Sequence, residues 1–570
     1  MHIKGIGASK GIAIAKAFKI NELPLEILNN SKGVEFETNL FDKAVKQIAE
    51  DIQHTIEVAT TKEQKEIFGA HLLLAQDPVA AQDIKNAIKD DNKSAIYATN
   101  EYFSNMAAVF DSMDDSYMKE RAADIRDILR KFLYFFHGIE EPNLSAINKE
   151  VIIVAKDLSP SQTVQLDKKF VKGFVTNIGG TTSHTAITAR SMNIPSIVGT
   201  NNVLENVNND DLIALNGSNG TLIINPTENE LKEFQKLLDE YNAYLSEIKS
   251  LIGKPSVSSD NHKVEIAANI GSIKDVKLVL ENDAEAIGLF RTEFLYMDND
   301  HWPTEEEQFE AYKAVVEAMK SKKVVIRTLD IGGDKTLQYF KFPEELNPFL
   351  GYRAIRLCLD PKHRDIFMAQ LRAIIRASEF GKVAIMFPMI TCVNEFIEAK
   401  KIYLEAYEQV KLENSRIANV NEIEVGLMME TPAASVLSDQ FCKYADFVSI
   451  GTNDLIQYSM AADRMNESIS YLYQPLNPSI LRLVKYVIDG AHKYGKWAGM
   501  CGEMAGDSDA VPILLGLGLD EFSVGAGSIL KTRKNINSLS FKEMQSLAEK
   551  AIKCESEQEV KELLRKSITN

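Results

Sequence analysis

Residues 422–454, EIEVGLMMETPAASVLSDQFCKYADFVSIGTND, decide the fold. Two β-type apolar runs, 422–430 and 446–454, flank a helical stretch, and each ends on groups that carry charge or hydrogen bonds: Glu430 in the first, Asn453 and Asp454 in the second. A strand buried on both faces reads as a near-continuous apolar run, which is the signature of a parallel sheet wrapped by helices. The same unit recurs on both sides. VEIAANIG (264–271), EAIGLFR (285–291), KVVIRTLD (323–330) and KVAIMFPMI (382–390) precede it, and KWAGMCGE (496–503) and EFSVGAG (521–527) follow. Helical stretches separate them, such as TEEEQFEAYKAVVEAMK (304–320), opened by a capping box of Thr304 with Glu307. Eight such runs predict a (β/α)8 barrel over 256–570. In that fold chemistry sits after the strand C-termini, and there the chain carries Arg291, Arg327, Glu430, Asn453, Asp454 and Cys501.

Ahead of the barrel, residues 227–252 read as one long helix within a linker of 227–255, opened by Thr227 with Glu230 and closed by Gly253-Lys254-Pro255. Residues 1–20 are strand-like, 21–138 are mostly helical, and β-rich runs return over 139–226, among them EVIIVAKDL (150–158) and DLIALNGSNGTLIINP (211–226). The simplest organisation is one α/β domain made of 1–20 and 139–226, interrupted by an all-helical subdomain. In that subdomain LFDKAVKQIAEDIQHTIEVA (40–59) is amphipathic, and its apolar face serves either internal packing or a partner.

The chain has 570 residues, 45% hydrophobic and 25% charged, enough to bury several cores. Its formal net charge of −17 argues against nucleic acid or anionic membrane as the main partner. Five scattered cysteines without a CxxC pair argue against a disulfide framework or structural zinc. The first residues lack a signal-peptide core, and the longest apolar stretches are too short to span a bilayer, so the expected setting is the cytoplasm.

At the barrel ends, Arg291 and Arg327 suit phosphate or carboxylate, while Glu430 and Asp454 are hard oxygen ligands of the kind that hold Mg2+ beside a phosphorylated substrate. Singly, each has a plainer reading: Arg327 with Asp330 as a surface ion pair, or Glu430 as a helix cap. A second candidate lies in GGTTSHTAITARSMNIPSIVG (179–199), where a helix signal starts at His184. A helix N-terminus favours an anion, so a phosphoryl group on that imidazole would be stabilised. Gly5–Gly11 lacks the glycine spacing of a dinucleotide fingerprint, and IGGDKT (331–336) lacks the frame of a P-loop.

Taken together, GGTTSHTAITARSMNIPSIVG, GLFRTEFLYMD (288–298), VIRTLDIGGDK (325–335), GLMMETPAA (426–434), SIGTNDLIQY (449–458), AADR (461–464) and GMCGEMAGD (499–507) resemble enzyme I of the bacterial phosphoenolpyruvate:sugar phosphotransferase system. EIFGAHLLLAQDP (66–78) and YMKERAADIRDI (117–128) resemble its phosphocarrier-docking subdomain. The resemblance implies that His184 is the phosphorylated histidine and that Thr163 hydrogen-bonds its ring. It implies that Arg291, Arg327, Asn453, Asp454 and Arg464 bind phosphoenolpyruvate, Glu430 and Asp454 hold Mg2+, and Cys501 protonates the enolate. Lys335, Arg353 and Met429 match further site-lining positions. It also implies a homodimer formed through the barrel and an acceptor, the small histidine-containing phosphocarrier HPr. Thr181 departs from the arginine common in the family's GGRTSH, which removes a cation near the histidine. A dikinase or synthase of the same superfamily would need an ATP-binding domain ahead of His184, and the sensory-domain variant an extra N-terminal domain; the 183 preceding residues are already taken. A silent scaffold that binds HPr without turnover is the reading from another class, disfavoured by the intact His184, Glu430, Asp454 and Cys501.

Overall fold

A computed structural model describes residues 1–20, 25–58, 62–112, 116–139, 144–163, 165–180, 183–192, 194–333 and 335–568. The chain divides into two units, Met1–Leu245 and Ser246–Asn570.

In the first unit eight strands form one mixed sheet: β1 (His2–Lys4), β2 (Ile6–Ser9), β3 (Ile12–Lys19), β4 (Val151–Ala155), β5 (Val171–Thr176), β6 (Ser196–Val198), β7 (Leu212–Asn216) and β8 (Thr221–Ile224). Their order is β1-β8-β7-β3-β4-β5-β6-β2. The central pairs β3/β4, β4/β5 and β5/β6 are parallel, and the flanking pairs are antiparallel. The apolar runs of 150–158 and 173–176 are therefore central strands buried on both faces, with Ile152, Ile153 and Val154 fully covered. The start of the chain supplies three strands where the sequence suggests one.

Between β3 and β4 the chain builds five helices: α1 (Val34–Val58), α2 (Lys62–Ala75), α3 (Pro78–Asp90), α4 (Ala95–Asp111) and α5 (Ser116–His137). Phe41, Ala44, Ile48 and Ile52 of α1 recur at helical spacing and sit in a core of their own with Phe103 and Phe132. The rings of Phe41 and Phe132 stack at 5.9 Å, and those of Phe103 and Phe132 at 5.6 Å. That apolar face is packing. The long helix Glu228–Lys249 begins as read, since Thr227 N–H donates to Glu230 Oε2 at 2.8 Å.

In the second unit all eight apolar runs are strands: β9 (Glu265–Ile270), β10 (Ala286–Arg291), β11 (Val324–Arg327), β12 (Val383–Phe387), β13 (Glu424–Met429), β14 (Phe447–Ile450), β15 (Trp497–Met500) and β16 (Glu521–Gly525). They pair in parallel and close, β16 returning to β9. Alternate residues face opposite ways along a strand. Val324 and Ile326 of β11 join the outer core against the helices, while Val325 joins Leu289, Ala384, Met386, Met428 and Phe447 inside the barrel. Among the described residues no helix is long and apolar enough to cross a membrane.

Candidate active site

The alternation that fills the barrel also aims its charges. Leu289, Val325 and Met428 point inward, so the residues two further on, Arg291, Arg327 and Glu430, are carried to the inner side of the rim at the strand C-termini. Cys501 follows β15 directly, and Asn453 and Asp454 lie in the first turn of the helix after β14, Thr452–Met460. They surround one cavity of about 600 Å3, into which Arg464, Lys335, Arg353, Glu293, Asp330 and Tyr473 also open.

Arg327 is 5% exposed and Arg353 2%, and neither is left as a bare buried charge. The Arg327 guanidinium pairs with Glu293 and lies 3.2 Å from Asp330 Oδ2. Lys335 donates to that same Oδ2 at 3.0 Å, and Arg353 Nη2 to Asp330 Oδ1 at 2.8 Å. Burial alone would push the Asp330 carboxyl up, yet Arg327, Lys335 and Arg353 hold it well below the usual carboxylate range. The Arg327–Asp330 pair is thus a buried one, not the surface pair that three-residue spacing suggests. Arg353 arrives next to β11 because Gly332 has φ +113° and a Cβ there would lie 2.5 Å from Arg353 Cβ, so the two segments touch backbone to side chain.

Glu430 is 1% exposed. Its Oε1 accepts from Met389 N–H at 2.5 Å, and Thr431, the residue after it, is the helix cap. Burial, with the Asp454 and Asp330 carboxylates nearby, pushes Glu430 up to about 8. Glu430 Oε2 and Asp454 Oδ1 are buried without a hydrogen-bond partner among the described residues, Asp454 Oδ1 lying 3.6 Å from Arg464 Nη1. No group of three or more His, Cys, Asp and Glu fit to hold a metal occurs among the described residues. Two carboxylates opening on a cavity nevertheless suit a hard cation that takes its other ligands from water and substrate oxygens.

Asn453 is held on both sides. Its Oδ1 accepts from Tyr473 O–H at 3.2 Å and from Glu503 N–H at 3.3 Å, and its Nδ2 donates to Glu503 Oε1 at 3.3 Å. The Cys501 thiol is 4% exposed and lies 3.8 Å from Ile450 O. Burial pushes it up to about 11, which keeps it protonated at neutral pH. Met429 does not line the cavity: it is fully buried in the outer core, and Met428, its neighbour on the inward face, is there instead.

The remaining candidates belong to the first unit. The helix His184–Met192 begins at His184, whose side chain lies outside the described residues, as does Thr181 altogether. Thr163 is 3% exposed at the end of the one-turn helix Pro160–Thr163. Sequence reasoning missed Glu293, Tyr473 and Glu503 as parts of the site. Glu293 lies past the end of β10, at the start of the short helix Glu293–Met297, where strand alternation no longer applies.

A barrel whose rim gathers arginines and paired carboxylates around one cavity has the chemistry of a site for a small anionic molecule. The PEP-utilising enzyme PEP-binding domain matches residues 246–541, the family's N-terminal domain 4–121 and its mobile domain 147–220. A phosphoenolpyruvate-protein phosphotransferase of Staphylococcus aureus (strain MSSA476) is 53% identical over 567 residues, covering 99% of this chain and 98% of the relative. One of Bacillus subtilis (strain 168) is 53% identical over 562 residues, 98% of each chain. Another, of Mycoplasma capricolum, is 50% identical over 572 residues, 100% of this chain and 99% of its own. The chain belongs to the phosphoenolpyruvate-protein phosphotransferases, a family of PEP-utilising transferases.

Proposed function

We propose that the chain takes the phosphoryl group of phosphoenolpyruvate onto His184 and passes it to a histidine of the phosphocarrier HPr, the first step of sugar uptake by the phosphotransferase system. The observation that carries this reading is the single cavity gathering Arg291, Arg327, Arg464, Asn453, Glu430, Asp454 and Cys501 at the barrel rim. Arg291, Arg327 and Arg464, with Asn453 and Asp454, bind the phosphate and carboxylate of the substrate. Lys335 and Arg353 support them on the cavity wall, and Met429, the last residue of β13, supports the rim from the strand's outer face. Glu430 and Asp454 hold Mg2+, which when bound supplies positive charge to the transferring phosphoryl group.

The bond from phosphorus to the enol oxygen breaks as a bond to an imidazole nitrogen of His184 forms, and the arginines offset charge on the phosphoryl oxygens. The enolate left behind takes the proton of Cys501 Sγ at its methylene carbon and leaves as pyruvate; solvent restores the thiol. A thiol held at about 11 is protonated at neutral pH, the form this step uses. Thr163 fixes the ring of His184 by a hydrogen bond. The helical subdomain of 21–138 receives HPr, residues 1–20 and 139–226 form the phosphohistidine domain, 227–255 the linker, and the barrel of 256–570 pairs with a second copy. The cytoplasm is the setting, since its reducing conditions keep Cys501 a free thiol.

Incubation with 32P-labelled phosphoenolpyruvate and Mg2+, with and without HPr and beside His184→Ala, tests the reading. Acid-labile label on the wild type alone, passed on to HPr, is the expected result. No label would overturn it in favour of a silent scaffold, and label that needs ATP and pyruvate would point to dikinase chemistry.

A further inference from the structure

Three cations on the cavity wall come from separate points of the chain: Arg327 ends β11, Lys335 follows the Gly332-Gly333 turn, and Arg353 lies a long irregular segment further on. All three converge on Asp330. Its Oδ1 accepts from Arg353 Nη2 at 2.8 Å, and its Oδ2 lies 3.0 Å from Lys335 Nζ and 3.2 Å from Arg327 Nη2. Its backbone carbonyl accepts from Lys335 Nζ as well, at 3.0 Å. We propose that Asp330 is a positioning residue for phosphoryl transfer: it holds Arg327, Lys335 and Arg353 as one preassembled cationic array, oriented before the substrate arrives. The inference rests on the reading that this cavity takes phosphoenolpyruvate.

Two observations separate this role from that of an ordinary buried ion pair. The loop does not need the Asp330 side chain to close, because Ala354 N–H already donates to Ile331 O at 3.0 Å and Gly332 N–H to Lys335 O at 3.1 Å. Hydrogen-bond donors are also left over. Glu293 and Asp330 contact the three cations directly, with Glu430 near Arg327 and Asp454 near Arg353, yet the Nε–H groups of Arg327 and Arg353 are buried without a partner among the described residues. Buried donors left unpaired are costly until an acceptor completes them. Donors fixed in advance stabilise developing charge without having to reorganise during the reaction, which is where catalysis gains most from such groups.

The test is Asp330→Asn, which keeps the shape and one acceptor oxygen but replaces the other with an NH2 donor and loses the charge, assayed against oxalate, a small planar dianion that resembles pyruvate enolate. Oxalate affinity, measured by calorimetry, reports the cationic wall without the chemistry, whereas kcat for phosphorylation of His184 reports its alignment. The expected result is a fall in kcat of about thirtyfold with oxalate affinity within about threefold of wild type. A loss in kcat that exceeds the loss in oxalate affinity by tenfold or more supports the positioning role; any smaller ratio overturns it. Should Asp330→Asn fail to fold, Arg353→Lys, which keeps the charge and loses the planar fork, is read by the same ratio. Wild type that takes no label from phosphoenolpyruvate would instead bring down the functional reading itself.

Discussion

Two glutamates buried in the same barrel are pushed to the same value of about 8, Glu430 at the C-terminal rim and Glu521 at the N-terminal floor. Each is 1% exposed, and for each burial is the largest cause. Their surroundings differ. Glu430 opens with Asp454 on a cavity of about 600 Å3. Glu521 fills the space that Gly288 leaves vacant, since a Cβ on Gly288 would lie 2.5 Å from Glu521 Oε1. Its neighbours are Lys323, 3.8 Å away, and the carboxylates of Glu265, Glu424 and Asp520. Lys323 in turn sits 3.7 Å over the Trp497 ring, which stacks on Phe447. A perturbed carboxyl therefore marks burial, and only the arginine-lined cavity beside Glu430 marks a site.

Substitution separates the two ends most sharply. Glu430→Gln should cut phosphoenolpyruvate-driven labelling about a thousandfold, while Glu521→Gln leaves it within about threefold; labelling lost in both would erase the distinction. At the rim, Cys501→Ala should lower kcat about a hundredfold with KM within about threefold, and a large rise in KM at unchanged kcat would count against proton donation. The floor should answer to pH. Folded Glu521 keeps its proton up to about 8 and the unfolded carboxyl loses it near 4.5, so the folded state binds the extra proton between those values. Stability from this group is thus full below the lower value and falls as pH rises to the upper. Glu521→Gln should raise Tm by a few degrees above about pH 8 and leave it unchanged at about pH 4, which a pair of calorimetric scans would check. The smallest effect belongs to Trp497→Phe. It keeps the stack on Phe447 but weakens the cation–π contact with Lys323 and removes the indole N–H that donates to Glu424 Oε1 at 3.0 Å, a cost of about 1 kcal/mol in thermal stability with turnover unaltered.

Much of this was legible in the sequence because period and position carry it. Eight apolar runs became eight strands, and residues at their ends fell on one rim, since alternation along a strand is enforced by backbone geometry. What stayed hidden was charge buried by tertiary contact. Asp330 reads as a surface partner of Arg327 until three cations close on it, Tyr473 lies beyond a turn whose path the sequence does not specify, and Glu521 looks like the polar start of a strand. Met429 and Met428 are adjacent and alike, so choosing the inward one requires the register of β13, which its pairing with β12 and β14 fixes.

The insertion of α1–α5 between β3 and β4 orders events in time. β3 ends at Lys19 and its parallel partner β4 starts at Val151, so a ribosome adding about 5–20 residues per second takes on the order of ten seconds between them. β1 waits longer still, for β8 at Thr221–Ile224. The helices contact one another locally around their own aromatic core and can consolidate during that delay, while the first three strands remain unpaired edges. Nascent chains stalled between about residues 140 and 150, before β4 is made, should therefore carry a protease-resistant helical body on a protease-sensitive N-terminus.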